Sequence, residues 1–373
     1  MNAPQTQNPA AMNYPNRMAL LGSAVPMVKR LPQANMGLGA SIQIPLLRMG
    51  ILTGVLLDVT VPMNISAAAT QSEFGPYNVF SNVKYTDFAG VDRISTSGYG
   101  LFALNSYKNR EISGSAIPFS GIAGFGNIDT NILAYPTAVA NPTSIRFQLY
   151  VPLAYEPSTD LRGAVIAQTV VGEHYITLQS VAALVGADNW AAPYSAGTAV
   201  LASNITITPY QMYLQPQSMN PAVLPAIDLS TIYAIEGNYV DTSNIVAGQD
   251  KFLNWPNNRS IFSALHIFDN GNTGTANGTD LSQITLIANA NTNIRELQPQ
   301  ILRGFQRSLL GADLGAGVYY MGSRRQPITT QLFGNVQTKF SIATVAGAGA
   351  VQFISQYESM YPSGSPLPGI QTS

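Results

Sequence analysis

Apolar residues recur at every second position along much of this chain. Ile51, Thr53, Val55, Leu57, Val59 and Val61 share one face of an extended run, and Ile145, Phe147, Leu149 and Val151 alternate with Arg146, Gln148 and Tyr150. In NITIT, Ile205 and Ile207 point one way and Thr206 and Thr208 the other; Val336, Thr338, Phe340 and Ile342 repeat the pattern later. Strand side chains alternate between two faces, so each run predicts a strand with one buried face. Clusters of Gly, Pro, Asn and Asp between the runs supply turn geometry. Many short strands with such punctuation predict an all-β sandwich or barrel, not a parallel α/β sheet.

Two helices are predicted as insertions on this β framework. Pro299 to Leu310 has Pro in the first turn and Gly311 past its end, with Ile301, Leu302, Phe305 and Leu309 on one apolar face and Arg303 and Arg307 elsewhere. In the other, Ser158, Thr159 or Asp160 would cap a run from Leu161 to Thr169.

The string FSNVKYTD (Phe80 to Asp87) returns in the second half of the chain as FSALHIFD (Phe262 to Asp269). An aromatic and a proline precede each copy (Phe74 and Pro76, Trp255 and Pro256), and Arg110-Glu111 or Arg295-Glu296 follows. A spacing near half the chain predicts two copies of one structural unit in tandem, with Val79 to Asp87 and Ile261 to Asp269 as equivalent strands.

At 373 residues the chain has room for two domains with separate cores. Charged residues are 10% of it, against about 25% in an ordinary soluble domain. The hydrophobic fraction of 46% excludes general disorder, and a net charge of -1 favours association. Much of the surface is therefore expected to be covered by neighbouring subunits. Absence of cysteine excludes disulfides and thiolate chemistry, and fits assembly in a reducing cytoplasm. Met18 to Val28 lacks the basic start and cleavage region of a signal peptide. The longest apolar region, Ile42 to Met63, is broken by Pro45, Arg48, Asp58 and Pro62, so it does not read as a membrane span. Lys29-Arg30 and Arg324-Arg325 are isolated basic pairs, and no nucleic-acid groove is expected.

Candidate chemistry is sparse. His174 and His266 belong to no metal-ligand spacing and are expected to be structural. There is no GxSxG elbow, and GIAGFG (Gly121 to Gly126) has the wrong order for a dinucleotide loop. The loop Asp269 to Asp280 resembles a calcium loop only at its ends and at Gly274; Gly271 and Asp280 stand where ligands of another kind are needed. No catalytic, cofactor-binding or metal-binding residue is predicted, and no enzyme. The segment 1–40 and the stretch Tyr361 to Ser373 are rich in Pro and lack any period, so both read as arms ordered by partners.

Longer strings carry more information. VPLAYEPSTDLRGAVIA (Val151 to Ala167), LPAIDLSTIYAIE (Leu224 to Glu236), IFDNG with the following GTD (Ile267 to Gly271, Gly278 to Asp280) and AGVYYMGSRRQPITTQLFGNV (Ala316 to Val336) resemble the major capsid proteins of tectiviruses, tailless bacteriophages with a membrane beneath an icosahedral shell. The blocks keep the family's order over most of the chain, although the Pro-rich N terminus departs from the family's Gln- and Ala-rich helix. The resemblance implies a double jelly roll, two eight-stranded sandwiches, with 1–40 as an arm, 41–220 and 221–360 as the sandwiches and 361–373 as a tail. Tyr107 to Asn131 and Val185 to Gly197 would be loop insertions. It further implies homotrimers of pseudo-hexagonal outline that tile a virion shell, contact with minor capsid or vertex proteins and with the internal membrane, and no cofactor. The competing readings are a secreted carbohydrate-binding or glycan-cleaving sandwich, for which the aromatic platforms would include Trp190 and Trp255, and a virion spike or S-layer subunit.

Overall fold

A computed structural model describes residues 24–113, 132–155, 161–167, 172–186, 192–216, 231–243, 245–270, 280–289, 292–310, 317–323, 327–345 and 351–362. In the first half, eight principal strands follow in order: β1 (Ala24–Arg30), β2 (Ser41–Pro45), β3 (Ile51–Gln71), β4 (Phe80–Thr86), β5 (Asp92–Thr96), β6 (Ala140–Pro152), β7 (Tyr175–Ser180) and β8 (Ile205–Pro216). The second half supplies β9 (Thr231–Asp241), β10 (Asp250–Asn254), β11 (Ser260–Asn270), β12 (Leu281–Ala288), β13 (Thr292–Leu297), β14 (Val318–Gly322), β15 (Val336–Ile342) and β16 (Val351–Pro362). Helix α1 (Gly98–Ser113) follows β5, and α2 (Pro299–Leu310) follows β13.

Hydrogen bonding places β1-β8-β3-β6 in one sheet and β2-β7-β4-β5 in another. The second half repeats this order as β9-β16-β11-β14 and β10-β15-β12-β13, so adding eight to a strand's number gives its counterpart. Each half is a jelly roll, two four-stranded sheets face to face, and the fold is a double jelly roll. The halves join through the backbone. β5 pairs in parallel with β9, Ile94 opposite Ile235 and Ser95 opposite Glu236, which makes one continuous sheet out of a sheet from each sandwich.

The period-two reading holds on both sandwiches. Val55, Leu57, Val59 and Val61 of β3 are buried against Ile145, Phe147, Leu149 and Val151 of β6 in the same cluster, while Phe268, Phe340 and Phe353 centre the second core. The main cluster does not stop at the first sandwich: Tyr233, Ile235, Phe262, Leu265 and Tyr320 continue it into the second.

Several expectations are corrected. Phe80–Asp87 falls on β4 and Phe262–Asp269 on β11, which are not equivalent; the counterpart of β4 is β12, and that of β11 is β3. The register that does relate the halves is visible in their hairpins. The β4/β5 ladder shifts between Tyr85 and Thr86, and the β12/β13 ladder shifts at the matching place, between Leu286 and Ile287. These bulges align Tyr85 with Leu286, and the same offset aligns Gly98 of α1 with Pro299 of α2. The expected N-terminal arm, 1–40, is shorter, because β1 and Ala34–Met36 both pair with β8. Leu161–Ala167 is a turn with the short strand Val165–Ile166 paired to β3, not a helix. Gly163 holds a φ of +73°, left-handed backbone that breaks any helix there. Tyr107 to Ser113, assigned to a loop, is the last part of α1, and Tyr194 to Gly197 opens the strand Tyr194–Leu201 on β3. Residues 114–131 and 187–191 of those two insertions lie outside the described residues.

Candidate functional site

The most concentrated chemistry lies where the sandwiches meet. α1 runs between them, and nearly every described side chain on it is buried. Lys108 Nζ sits 3.2 Å from Glu358 Oε1 of β16, and both residues are buried. Tyr233 of β9 donates its hydroxyl to the same oxygen at 2.7 Å, and Ser263 of β11 donates to Oε2 at 2.9 Å. The ammonium also donates to Tyr233 at 3.2 Å and lies over the Tyr155 and Tyr233 rings, 5.0 and 4.6 Å from their centroids. Beside it, Tyr107 stacks on Tyr320 of β14 at 4.1 Å, and Gln356 donates to Ser97 at 3.3 Å. Gly100 is required here, since a Cβ would collide with the side-chain amide of Gln356. Lys108, Tyr233, Ser263 and Glu358 satisfy one another across the joint, while Gln356 Oε1 has no partner among the described residues; the cluster fastens two domains.

A second buried pair backs the joint. Arg259 donates to Glu236 at 3.1 Å; burial pushes the Glu236 carboxyl above its ordinary range, and Arg259 opposes that shift. At the β4/β5 turn, Asp87 accepts from the amides of Ala89 and Val91 and from Arg93 at 2.7 Å, which explains the acid at the end of that string.

Both histidines are buried. His266 lies with Nδ1 2.9 Å from Ser355 Oγ and Nε2 3.1 Å from Thr338 Oγ1, between the edges of Phe340 and Tyr357. Trp255 Nε1 donates to the same Thr338 oxygen at 2.7 Å, so the threonine hydroxyl ties the imidazole to the indole. Burial pushes His266 down to about 3 and His174 down to about 4, so both are neutral spacers of a core. Trp255 is itself buried and cannot serve as a sugar platform; Trp190 lies outside the described residues. Of the Asp269–Asp280 loop only its ends are described: Asp269 accepts from Gln352 at 3.4 Å and Asp280 from Thr344 at 2.6 Å. Among the described residues no group of three potential ligands converges on a metal position, and no helix is long and apolar enough to cross a membrane.

The outer ends of the molecule differ from the joint. α2 buries Leu302 but exposes Ile301 and Phe305, so its expected apolar face is only half used. A cavity of about 600 Å3 beside it is lined by Leu297, Leu302, Phe305, Leu309, Tyr320 and Met321, with Arg295, Glu296 and Gln306 among its polar neighbours. Val25, Met27 and Val28 of β1 are exposed as well. The sequence pattern marked the α2 face as apolar without saying what covers it, and it did not single out the exposed face of β1.

This architecture is similar to that of solved virus-shell proteins. The STIV MCP aligns with a TM-score of 0.68 at 11% identity, over 91% of this chain and 97% of that one. The major capsid protein P2 of bacteriophage PM2 aligns at 0.53 with 10% identity, over 91% and 99%. The class is thus the double jelly-roll fold. Sequence identifies the family: residues 34–217 match P3 major capsid protein N-terminal, and residues 230–363 match P3 major capsid protein C-terminal. Major capsid protein P3 of Enterobacteria phage PRD1 is 30% identical over 302 residues, 77% of this chain and 75% of that protein. The chain belongs to the P3 major capsid protein family, and its role is structural, as a component of a virion shell.

Proposed function

We propose that three copies form a homotrimer of pseudo-hexagonal outline, and that these trimers tile an icosahedral shell over an internal membrane. The supporting observation is the repetition of one sandwich topology within a chain whose two halves both match a capsid family. Three chains then present six similar sandwiches. Contacts within the trimer bury apolar surface at roughly 25 cal/mol per Å2 and exceed about 2,000 Å2 in total, as obligate interfaces do. The shell also makes contacts with minor capsid or vertex proteins, and the N-terminal part of the chain contacts the internal membrane. Assembly takes place in the host bacterial cytoplasm, and the protein carries out no catalysis. Light scattering after size exclusion tests the core of this reading: a particle of about 119 kDa, three times the 39.7 kDa chain, is expected. A monomer at micromolar concentration refutes it.

A further inference from the structure

The joint inside the chain uses the fifth strand and following helix of one sandwich against the first and last strands of the next. That leaves one unused copy of each partner: β13 and α2 at one end of the chain, β1 and β8 at the other. Among the described residues β13 and β1 each have one unpaired edge.

Equivalent positions show what is missing. By the bulge-defined register, Gly100 and Leu104 of α1 correspond to Ile301 and Phe305 of α2. Leu104 is 1% exposed and Phe305 60%. The same test applies to the receiving sheet. Ladders β11/β16 and β3/β8 share a bulge, after Ile261 and near Leu52, which aligns Glu358 with Met212. Through their strand partners, Ile235 then corresponds to Val28 and Glu236 to Lys29. Ile235 is 1% exposed and Val28 41%. At these two positions a residue covered at the internal joint has an open counterpart at an outer end, whereas Met212, the counterpart of Glu358, is already buried.

We propose that β13 of one copy pairs in parallel with β1 of a second copy, repeating the β5/β9 joint between chains. Ile94 and Ser95 become Arg295 and Glu296; Ile235 and Glu236 become Val28 and Lys29. The register sets Glu296 opposite Lys29, a complementary pair. α2 lays Ile301 and Phe305 over the outer face of the β1-β8-β3-β6 sheet, where Tyr150, Met212 and Leu56 form an apolar cluster apart from the main core. The buried ions of the internal joint have apolar counterparts here, Leu309 for Lys108 and Met212 for Glu358, so this contact has no equivalent of the buried Lys108–Glu358 pair to desolvate. Unlike patches meeting head to tail close into a ring when the rotation permits. The inference rests on the trimer proposed above and assigns its contact surface.

The chain lacks cysteine, which makes disulfide trapping clean. Val28→Cys and Arg295→Cys placed together in the full chain are expected to give, on mild oxidation, covalent dimers and trimers on a non-reducing gel, and each single variant none. Phe305→Arg, at an exposed site, is expected to shift the light-scattering mass from three chains to one with the monomer still folded by circular dichroism. A wild-type trimer that yields no covalent ladder and survives Phe305→Arg overturns the assigned surface and leaves the trimer standing. A monomeric wild type overturns both.

Discussion

Removing one member of the Lys108–Glu358 pair is the sharpest perturbation of the joint. In Glu358→Gln the ammonium keeps the Tyr233 oxygen and two ring faces but loses its counter-charge, while remaining buried. In Lys108→Met the carboxylate keeps the Tyr233 and Ser263 hydroxyls and loses its cation. Breaking a buried pair from one side costs about 3–5 kcal/mol. At roughly 2–4 °C per kcal/mol for a unit of 150–250 residues, the melting temperature should fall by about 6–20 °C. The two ions share one network, so Lys108→Met/Glu358→Gln should lose less than the sum of the singles, by about 0.5–3 kcal/mol. Differential scanning fluorimetry of the three variants and the parent, at one protein concentration because association raises apparent stability, provides the measurement. Single variants within about 1 °C of the parent, or strictly additive losses, would refute the assignment of a coupled buried clamp.

Other expectations concern the cores. Because the folded values of His266 and His174, about 3 and about 4, lie below the unfolded 6.5, the unfolded chain takes up protons first as pH falls; their contribution is complete above pH 6.5 and declines below it by about 1.4 kcal/mol per unit for each group. His266→Gln should therefore flatten the slope of stability between pH 6.5 and 4 in urea titrations. Gly163→Ala places a Cβ 2.6 Å from the Tyr233 amide nitrogen at positive φ, and a loss of about 2–4 kcal/mol is expected in the same titrations. Trp255→Phe removes the donor to Thr338 and should cost about 1–3 kcal/mol, read by thermal melts.

The strands were legible because burial on one face imposes period two, and Val336, Thr338, Phe340 and Ile342 are buried as the pattern requires. α1 was not. A helix sealed between two sandwiches has no polar face to set up a period, and Gly98 and Gly100, which α1 needs for close approach to the Tyr77 carbonyl and the Gln356 amide, look like loop residues in sequence. The repeated Phe–Asp strings misplaced the register because strands of like burial select like residues whatever their position in a sheet. The relation between halves survives in bulge positions and strand order, which single residues do not spell. Lys108 and Glu358 meet only through the topology, so no local spacing announces them. The assembly role was accessible from the longer family-like blocks, and the candidate contact surface only from comparing burial at equivalent sites.

The sheet that crosses from one sandwich to the other has a mechanical meaning. Tension across the chain meets two parallel register pairs at β5/β9, a short seam, and α1 with its ionic clamp lies alongside as a bolted splice. Such a member resists bending as one beam while the splice holds. If the splice fails, it becomes two walls on a flexible seam. A wall element that yields inside the subunit lets a loaded shell deform without shedding a piece.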